Sequence, residues 1–246
     1  MLLTCLIGVY SANAVEITVG VKGGVNSISF SQPKEEPKEF YEGENGGPIS
    51  RGLIGLSLAA KMSDRVALRL EVMHSVKGGE RELTRVTSGG VVTENAIIEL
   101  EYVEIPLLLE ILPVDLGRFQ PFVIAGFGLS LNTTSAYDLK KTFKSNISDY
   151  QEINTSSRPI HNVRNTVPGV IGSVGTRYRP NARLGLFGFE VRYVSDLKKA
   201  FDDTDPIPLT LEIRRNVIIR SPDGTAPEFQ SSGFSFLFSY AWSFDL

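Results

Sequence analysis

Charged side chains recur at every second position in several otherwise apolar segments of this chain. Arg69 and Glu71 lie within VALRLEV, and Glu190 and Arg192 lie within FEVRY. Acidic and basic groups at this spacing share one face of an extended strand, where they either line a path for ions or pair with one another. Whether these residues form an ion path or ion pairs depends on the strands that carry them.

The two histidines, His74 and His161, are the other candidates for acid–base chemistry. Ser75 follows His74, and a His, Ser and acid set is a hydrolase arrangement. Consecutive residues of a strand point to opposite faces, so these two side chains do not share a site. The sequence also lacks a Gly-rich phosphate loop with its Lys and Ser/Thr, and it lacks Cys/His metal spacing. We therefore expect no enzyme, with no catalytic, cofactor-binding or metal-binding residues.

The C-terminal segment alternates strictly between large apolar and mostly small residues. The large residues are Phe234, Phe236, Phe238, Tyr240, Trp242, Phe244 and Leu246. This period-2 pattern places all of them on one face of a single strand. An aromatic face of this length needs an equally long apolar surface to lie against, and lipid is such a surface. The segment therefore indicates a strand that crosses a membrane.

The first 14 residues resemble the apolar part of a secretory leader that ends in the small-x-small site Ala12-Asn13-Ala14. No Lys or Arg precedes the apolar run, so the leader is either truncated at its start or weak. We expect a signal peptide over 1–14, truncated at its start, followed by one barrel domain over 15–246. Cys5 is the only cysteine and lies inside this leader. The mature chain then carries no thiol, which suits an oxidising periplasm.

Alternation and turn signals predict eight strands. They cover residues 15–30, 49–61, 65–77, 91–112, 120–133, 166–179, 183–195 and 234–246. Three short connections (62–65, 113–119 and 180–182) alternate with four long polar ones (31–48, 78–90, 134–165 and 196–232). Outer-membrane barrels show this asymmetry, with short periplasmic turns and long extracellular loops. The fold class is all-β, an eight-stranded antiparallel transmembrane up-and-down β-barrel with both termini on the short-turn side.

Alternation assigns nine charged residues to the inside of this barrel. They are Glu16, Lys22, Arg69, Glu71, Glu104, Glu110, Arg177, Glu190 and Arg192. An eight-stranded barrel is only wide enough to be filled by its own side chains. We therefore expect a salt-bridged plug rather than an ion path. Five aromatic residues are expected in interfacial girdles: Tyr102, Tyr178, Tyr193, Tyr240 and Trp242.

Composition supports a folded chain, with 42% apolar and 22% charged residues. No apolar run approaches the roughly 18 residues that a spanning helix requires. The net charge of −3 and the lack of a basic stripe exclude nucleic acid as a partner.

Five segments, taken in order, resemble the PorT-like outer-membrane β-barrel family, often called porin-family proteins. They are GVKGGVN from residue 20, SVKGG from 75, YVEIPLLL from 102, PFVIAGFG from 121 and FEVRY from 189. The resemblance implies an eight-stranded barrel in a Gram-negative outer membrane, and it implies a secretion role for some members.

The favoured hypothesis is a monomeric outer-membrane barrel that contacts outer-membrane lipid. Its wall is structural, and its long loops, particularly 134–165 and 196–232, bind a secretion or surface protein, a glycan or a small ligand. The alternative is a passive porin-like diffusion channel of ten or more strands, reached by counting 209–220 as a spanning hairpin. The third hypothesis is a soluble lipocalin-type barrel, and the aromatic outer face argues against it.

Overall fold

A computed structural model describes residues 16–30, 42–87, 90–114, 116–145, 151–160, 163–181, 185–200 and 230–245. These residues form nine β-strands: β1 (Glu16–Phe30), β2 (Glu42–Ser63), β3 (Val66–Thr87), β4 (Gly90–Ile111), β5 (Phe119–Ser145), β6 (Gln151–Pro159), β7 (Thr166–Tyr178), β8 (Leu186–Asp196) and β9 (Ser231–Asp245). No helix in the described part of the chain is long and apolar enough to cross a membrane. The predicted leader over 1–14 lies outside the described residues.

Eight of these strands close into an antiparallel barrel. The order around the barrel is β1-β2-β3-β4-β5-β7-β8-β9, and β9 pairs with β1 from Glu16↔Asp245 to Phe30↔Ser231. The β4–β5 pairing continues from Gly90↔Ser145 to Ile111↔Val123. A closed barrel leaves no sheet edge in the hydrocarbon region, so its main-chain donors and acceptors are paired within the wall. The predicted eight-stranded up-and-down barrel is confirmed.

The outer ends of several strands extend well beyond the predicted bounds. β2 begins at Glu42 inside the predicted 31–48 connection, and β3 and β4 continue until they meet at Thr87↔Gly90. β5 runs to Ser145, and its outer part pairs with β6 from Ala136↔Pro159 to Lys144↔Gln151. The long polar connection predicted over 134–165 therefore contains strand structure that the sequence did not predict. Outside the membrane both sheet faces meet water, so a strand held by its ladder needs no alternating apolar residues.

The short connections, the start of β1 and the end of β9 all lie at one end of the barrel. Residues 64–65 link β2 to β3, and 112–118 link β4 to β5. Residues 179–185 link β7 to β8, and Glu16 pairs with Asp245 at the same end. This is the periplasmic end by the rule that periplasmic turns are short.

The outer face of the barrel is apolar and aromatic. Phe236 and Phe238 are 44% and 63% exposed, so both point outward as predicted. Ring pairs join neighbouring strands towards both ends of the apolar band: Tyr193–Phe234 towards the outer end, and Phe119–Tyr178 and Phe187–Tyr240 towards the periplasmic end. Within β9, the rings of Tyr240 and Trp242 also pack edge to face near the periplasmic end. Aromatic girdles of this kind mark the two membrane interfaces.

Tyr102 departs from the girdle prediction because it is only 1% exposed and lies inside the barrel. Alternation along β4 requires this position, since Glu104 and Glu110 share its face and are buried as well.

Small residues on the inner face make room for large ones. A Cβ atom added at Gly175 would overlap the ring of Phe122 and the carbonyl oxygen of Phe189. A Cβ added at Gly55 would overlap Met73 in the same way. The glycines in these strands therefore permit a bulky inner side chain on the neighbouring strand.

Candidate functional site

The lower half of the barrel interior holds one connected group of charged side chains, called here the lower network. Its members are Lys22 on β1, Arg69 and Glu71 on β3, Glu110 on β4, Arg177 on β7, and Glu190 and Arg192 on β8. Five strands contribute to it, so its ion pairs connect opposite walls of the barrel.

Glu190 lies at the centre of the lower network. Its Oε2 atom accepts a hydrogen bond from Lys22 Nζ at 2.7 Å and lies 3.5 Å from Arg69 Nη1. Its Oε1 atom lies 2.7 Å from Arg192 Nη2 and 2.8 Å from Arg192 Nε. One carboxylate thus compensates three cations in an interior from which water is largely excluded.

Glu71 contacts the same three cations from the opposite wall. Its Oε1 atom lies 2.6 Å from Lys22 Nζ and 3.7 Å from Arg69 Nη1. Its Oε2 atom lies 2.8 Å from Arg192 Nη2. Lys22 and Arg192 are each held between Glu71 and Glu190, which fixes their long side chains across the lumen.

Glu110 completes the lower network and pairs with both Arg69 and Arg177. The two guanidinium groups also lie over the ring of Phe122, with centroid distances of 5.5 Å for Arg69 and 5.0 Å for Arg177. Arg–ring contacts of this length are favourable electrostatically. Phe122 is therefore an additional, uncharged partner for both arginines.

A separate upper cluster lies nearer the extracellular end. Lys77 Nζ lies 2.8 Å from Asp196 Oδ1 and 3.1 Å from Glu104 Oε1, and it donates to Ser130 Oγ at 3.1 Å. The ring of Tyr102 lies 5.1 Å from the same ammonium group. Lys77, its three polar partners and Tyr102 are all buried.

Asp196 links the upper cluster to the long connection between β8 and β9. Its carboxylate accepts a hydrogen bond from the hydroxyl of Ser231, and its main-chain oxygen accepts one from Gln230. Sequence reasoning placed 196 in a polar connection and so missed its role. A signal was present, because Asp196 continues the inner alternation of Glu190, Arg192 and Val194.

Three buried apolar clusters fill the rest of the interior. Leu53, Met73 and Leu237 form one, and a second contains Leu108, Phe122, Ile124, Ile171 and Val194. The third lies at the extracellular end and contains Leu100, Tyr102, Ile160, Val163, Val167 and Ala200. Alternation assigned the apolar faces outward and missed these residues. Consecutive apolar residues such as Leu107-Leu108-Leu109 are the signal for a strand with apolar groups on both faces.

Eight of the nine predicted interior charges lie in these two groups. Glu104 belongs to the upper cluster, and the seven others form the lower network. Glu16 is the exception, because it lies at the periplasmic rim with Lys61 at 3.3 Å and Arg179 at 3.6 Å. It is the first residue of β1, where the lumen opens to solvent.

His74 and Ser75 point to opposite faces of β3, as alternation predicted. The side chain of His74 is half-exposed on the outer face, 3.8 Å from Glu101, whereas Ser75 is buried inside. The two therefore do not form a hydrolase site. His161 lies outside the described residues. Within the described ranges, no group of three or more His, Cys, Asp or Glu side chains could hold a metal ion.

The sequence matches the family model described as "Outer membrane protein beta-barrel domain" over residues 12–202. The chain belongs to this family. Membership places it in the outer membrane, in agreement with its closed eight-stranded barrel and apolar outer face. A comparison with curated proteins found no match.

Several solved barrels are similar to this family member. Neisserial surface protein A, NspA, is 9% identical with a TM-score of 0.38, covering 92% of this chain and 96% of its own. Ail of Yersinia pestis, in complex with the heparin analogue sucrose octasulfate, is 8% identical with a TM-score of 0.34, covering 93% and 99%. The translocator domain of the autotransporter NalP from Neisseria meningitidis is 8% identical with a TM-score of 0.21, covering 97% and 92%. The family assignment rests on the sequence match.

Proposed function

We propose that this protein is a monomeric outer-membrane barrel with a structural, closed interior, and that its extracellular strand extensions and loops bind a partner. The observation that carries the proposal is the filled lumen. The lower network, the upper cluster and three apolar clusters occupy successive levels between the two ends. An interior of this kind stabilises the wall and leaves the exposed extensions as the surface for recognition.

The length of the extensions supports recognition at the extracellular side. β3 and β4 contain 22 residues each and β5 contains 27, against 13 for β7 and 11 for β8. Crossing the membrane takes roughly 9 to 11 residues. About half of each long strand therefore projects beyond the membrane, and β6 widens this wall. Such a one-sided sheet has no role in sealing the barrel, so we assign it to partner binding.

We infer a finer relationship to the PorT-like group from the ordered segments GVKGGVN, SVKGG, YVEIPLLL, PFVIAGFG and FEVRY. On this basis the partner class that we favour is a secreted or surface protein. The outward position of His74 and the inward position of Ser75 support a non-enzymatic role.

The alternative of a wider diffusion pore has a specific observation against it. β8 pairs directly with β9 from Leu186↔Ala241 to Ser195↔Ser232. A spanning hairpin built from 209–220 would have to lie between these two strands. Residues 209–220 lie outside the described residues, and the direct β8–β9 pairing closes the barrel with eight strands.

Ion conductance tests the closed interior. We expect the purified protein in planar bilayers to show little or no stable conductance. A charge-balanced variant, Glu190→Ser with Arg192→Ser, removes one acid and one base from the centre of the lumen and should conduct better than the parent protein. Reproducible large channels formed by the unmodified protein would refute the structural interior.

Cross-linking on intact cells tests partner binding. In the test variant, residues 139–156 are replaced by an Asn-Gly turn, which removes the outer β5–β6 hairpin but keeps the β5–β7 pairing of Phe119–Leu131. We expect a cross-linked partner to be lost in this variant. A control exchanges the periplasmic Asp64-Arg65 turn for Asn-Gly and should retain the partner. Equal capture by both variants would exclude the extracellular hairpin as the binding surface.

A further inference from the structure

A cavity lies at the periplasmic end of the lumen, next to the lower network. It is lined by three cations, Lys22, Arg69 and Arg177, and by three hydroxyl side chains, Thr18, Ser57 and Ser239. Thr18 and Arg177 lie within three residues of the periplasmic ends of β1 and β7. The cavity therefore lies near the periplasmic opening of the barrel, far from the extracellular end.

The cavity exists because two strands place small residues on the inner face. β2 presents Ser57 and Ala59, and β9 presents Ser239 and Ala241, at the levels of Lys22 and Arg69. The long charged side chains reach across from β1, β3 and β7 and leave space at the walls that face them. A polar space of this kind holds water or an ion rather than remaining empty.

The charge around the cavity is unbalanced. In the described residues the lower network contains four bases, Lys22, Arg69, Arg177 and Arg192, and three carboxylates, Glu71, Glu110 and Glu190. An excess cation in a largely dry interior is costly unless an anion compensates it.

The neighbouring carboxylates do not remove this excess. Glu16 at the rim also acts electrostatically on Arg177, but it is shared with two further cations, Lys61 and Arg179. Glu104 and Asp196 are in contact with Lys77 in the upper cluster. The cluster of Leu53, Met73 and Leu237 lies beside Glu190 and Glu71. It is apolar, so it adds no negative charge.

We propose that this periplasmic cavity is a binding site for a small oxyanion, a phosphate or a carboxylate group. Guanidinium groups donate in a planar fork that matches the oxygens of either group, and Lys22 adds a point charge. Thr18, Ser57 and Ser239 supply hydroxyl donors for the remaining oxygens. Arg177 is the most exposed cation of the site, with 16% of its side chain accessible, so it is the first cation that an entering anion meets.

The site is tested on the full protein purified in a maltoside, a detergent without phosphate. Sodium chloride is replaced stepwise by sodium phosphate, and in a second series by sodium acetate, at constant ionic strength. Amide signals of Thr18, Ser57 and Ser239 are followed by ¹H–¹⁵N correlation spectroscopy. We expect saturable shifts confined to the periplasmic end of the barrel, and the series with the lower dissociation constant identifies phosphate or carboxylate as the preferred group.

Two variants on the same strand end separate a specific site from general charge. Arg177→Gln should weaken binding about tenfold or more, because it removes a charge-assisted hydrogen bond. Arg179→Gln removes the same charge two residues away, outside the cavity lining, and should bind like the parent protein. Ser57→Leu fills the cavity and keeps every charge, so it should also abolish the shifts if Arg177→Gln fails to fold.

The proposal fails if neither phosphate nor acetate gives a saturable change when it replaces chloride. It fails equally if Arg179→Gln weakens binding as much as Arg177→Gln does, or if the folded Ser57→Leu variant binds like the parent protein. None of these results bears on partner binding at the extracellular side, because the two sites lie at opposite ends of the barrel.

Discussion

At the level of single residues, the lower network depends on carboxylates that each serve more than one cation. Glu190 contacts Lys22, Arg69 and Arg192, and only 3% of its side chain is exposed. Removing this shared carboxylate leaves the four buried cations of the lower network with only Glu71 and Glu110 as acidic partners within that network, and this costs more than the loss of any one pair. The network is therefore most sensitive at its acids, which are outnumbered by its bases.

Replacing Glu190 by Gln keeps the size of the side chain and removes its charge. We expect the free energy of unfolding to fall by about 3–5 kcal/mol, the range seen when one partner of a buried ion pair is removed. Urea unfolding in lipid vesicles, followed by the fluorescence of Trp242, measures it. Asp64→Asn is the matched control, because Asp64 is fully exposed in a periplasmic turn and should change stability by less than about 0.5 kcal/mol. Equal stability of the two variants would show that the network does not hold the barrel together.

Strand alternation was sufficient to predict most charged members of the interior. Lys22, Glu71 and Arg192 were assigned correctly because a one-residue error in phase would place a charge in lipid. The pairing between them was not predictable, since it depends on which strands face each other across the lumen. Asp196 was missed because the end of β8 was predicted one residue too early.

At the level of strands, contact with lipid explains which strand bounds could be predicted from the sequence. The spanning parts were located well because hydrocarbon requires an apolar outer face, and this face produces the period-2 signal. β6 and the outer part of β5 carry no such constraint, so Ser, Thr, Asn and Lys occur there without indicating a loop. Their strand structure comes from ladder bonds to β4 and to each other, and composition does not report these bonds.

A depth series on β9 tests the lipid-facing assignment of its aromatic residues. Phe238 lies near the middle of the strand and Phe244 near its periplasmic end, and both are exposed. We expect Phe238→Lys to destabilise the barrel in lipid vesicles by about 2–4 kcal/mol, and Phe244→Lys by about 0–1 kcal/mol, because the cost of a charge decreases towards the interface. Reversible urea unfolding measures both. Equal costs at the two positions would contradict a bilayer around this face.

At the level of the whole molecule, the two ends of the barrel differ in construction. The periplasmic end has short connections and a charged rim at Glu16, Lys61 and Arg179. The other end carries the long sheet of β2 to β6 above an apolar cap that includes Ile160 and Val167. This asymmetry assigns a direction to the molecule, with the proposed partner surface outside the cell and the proposed oxyanion cavity facing the periplasm.

Cysteine labelling on intact cells tests this direction. In a Cys5→Ser background, Lys144→Cys places a thiol on the exposed outer part of β5, and Asp64→Cys places one in the β2–β3 turn. A maleimide that cannot cross the outer membrane should label the first variant fully. The second should react only after the membrane is permeabilised, because its turn lies in the periplasm. The opposite pattern would invert the barrel and move the long sheet inside, whereas equal labelling of both variants on intact cells would show that the chain does not span the membrane.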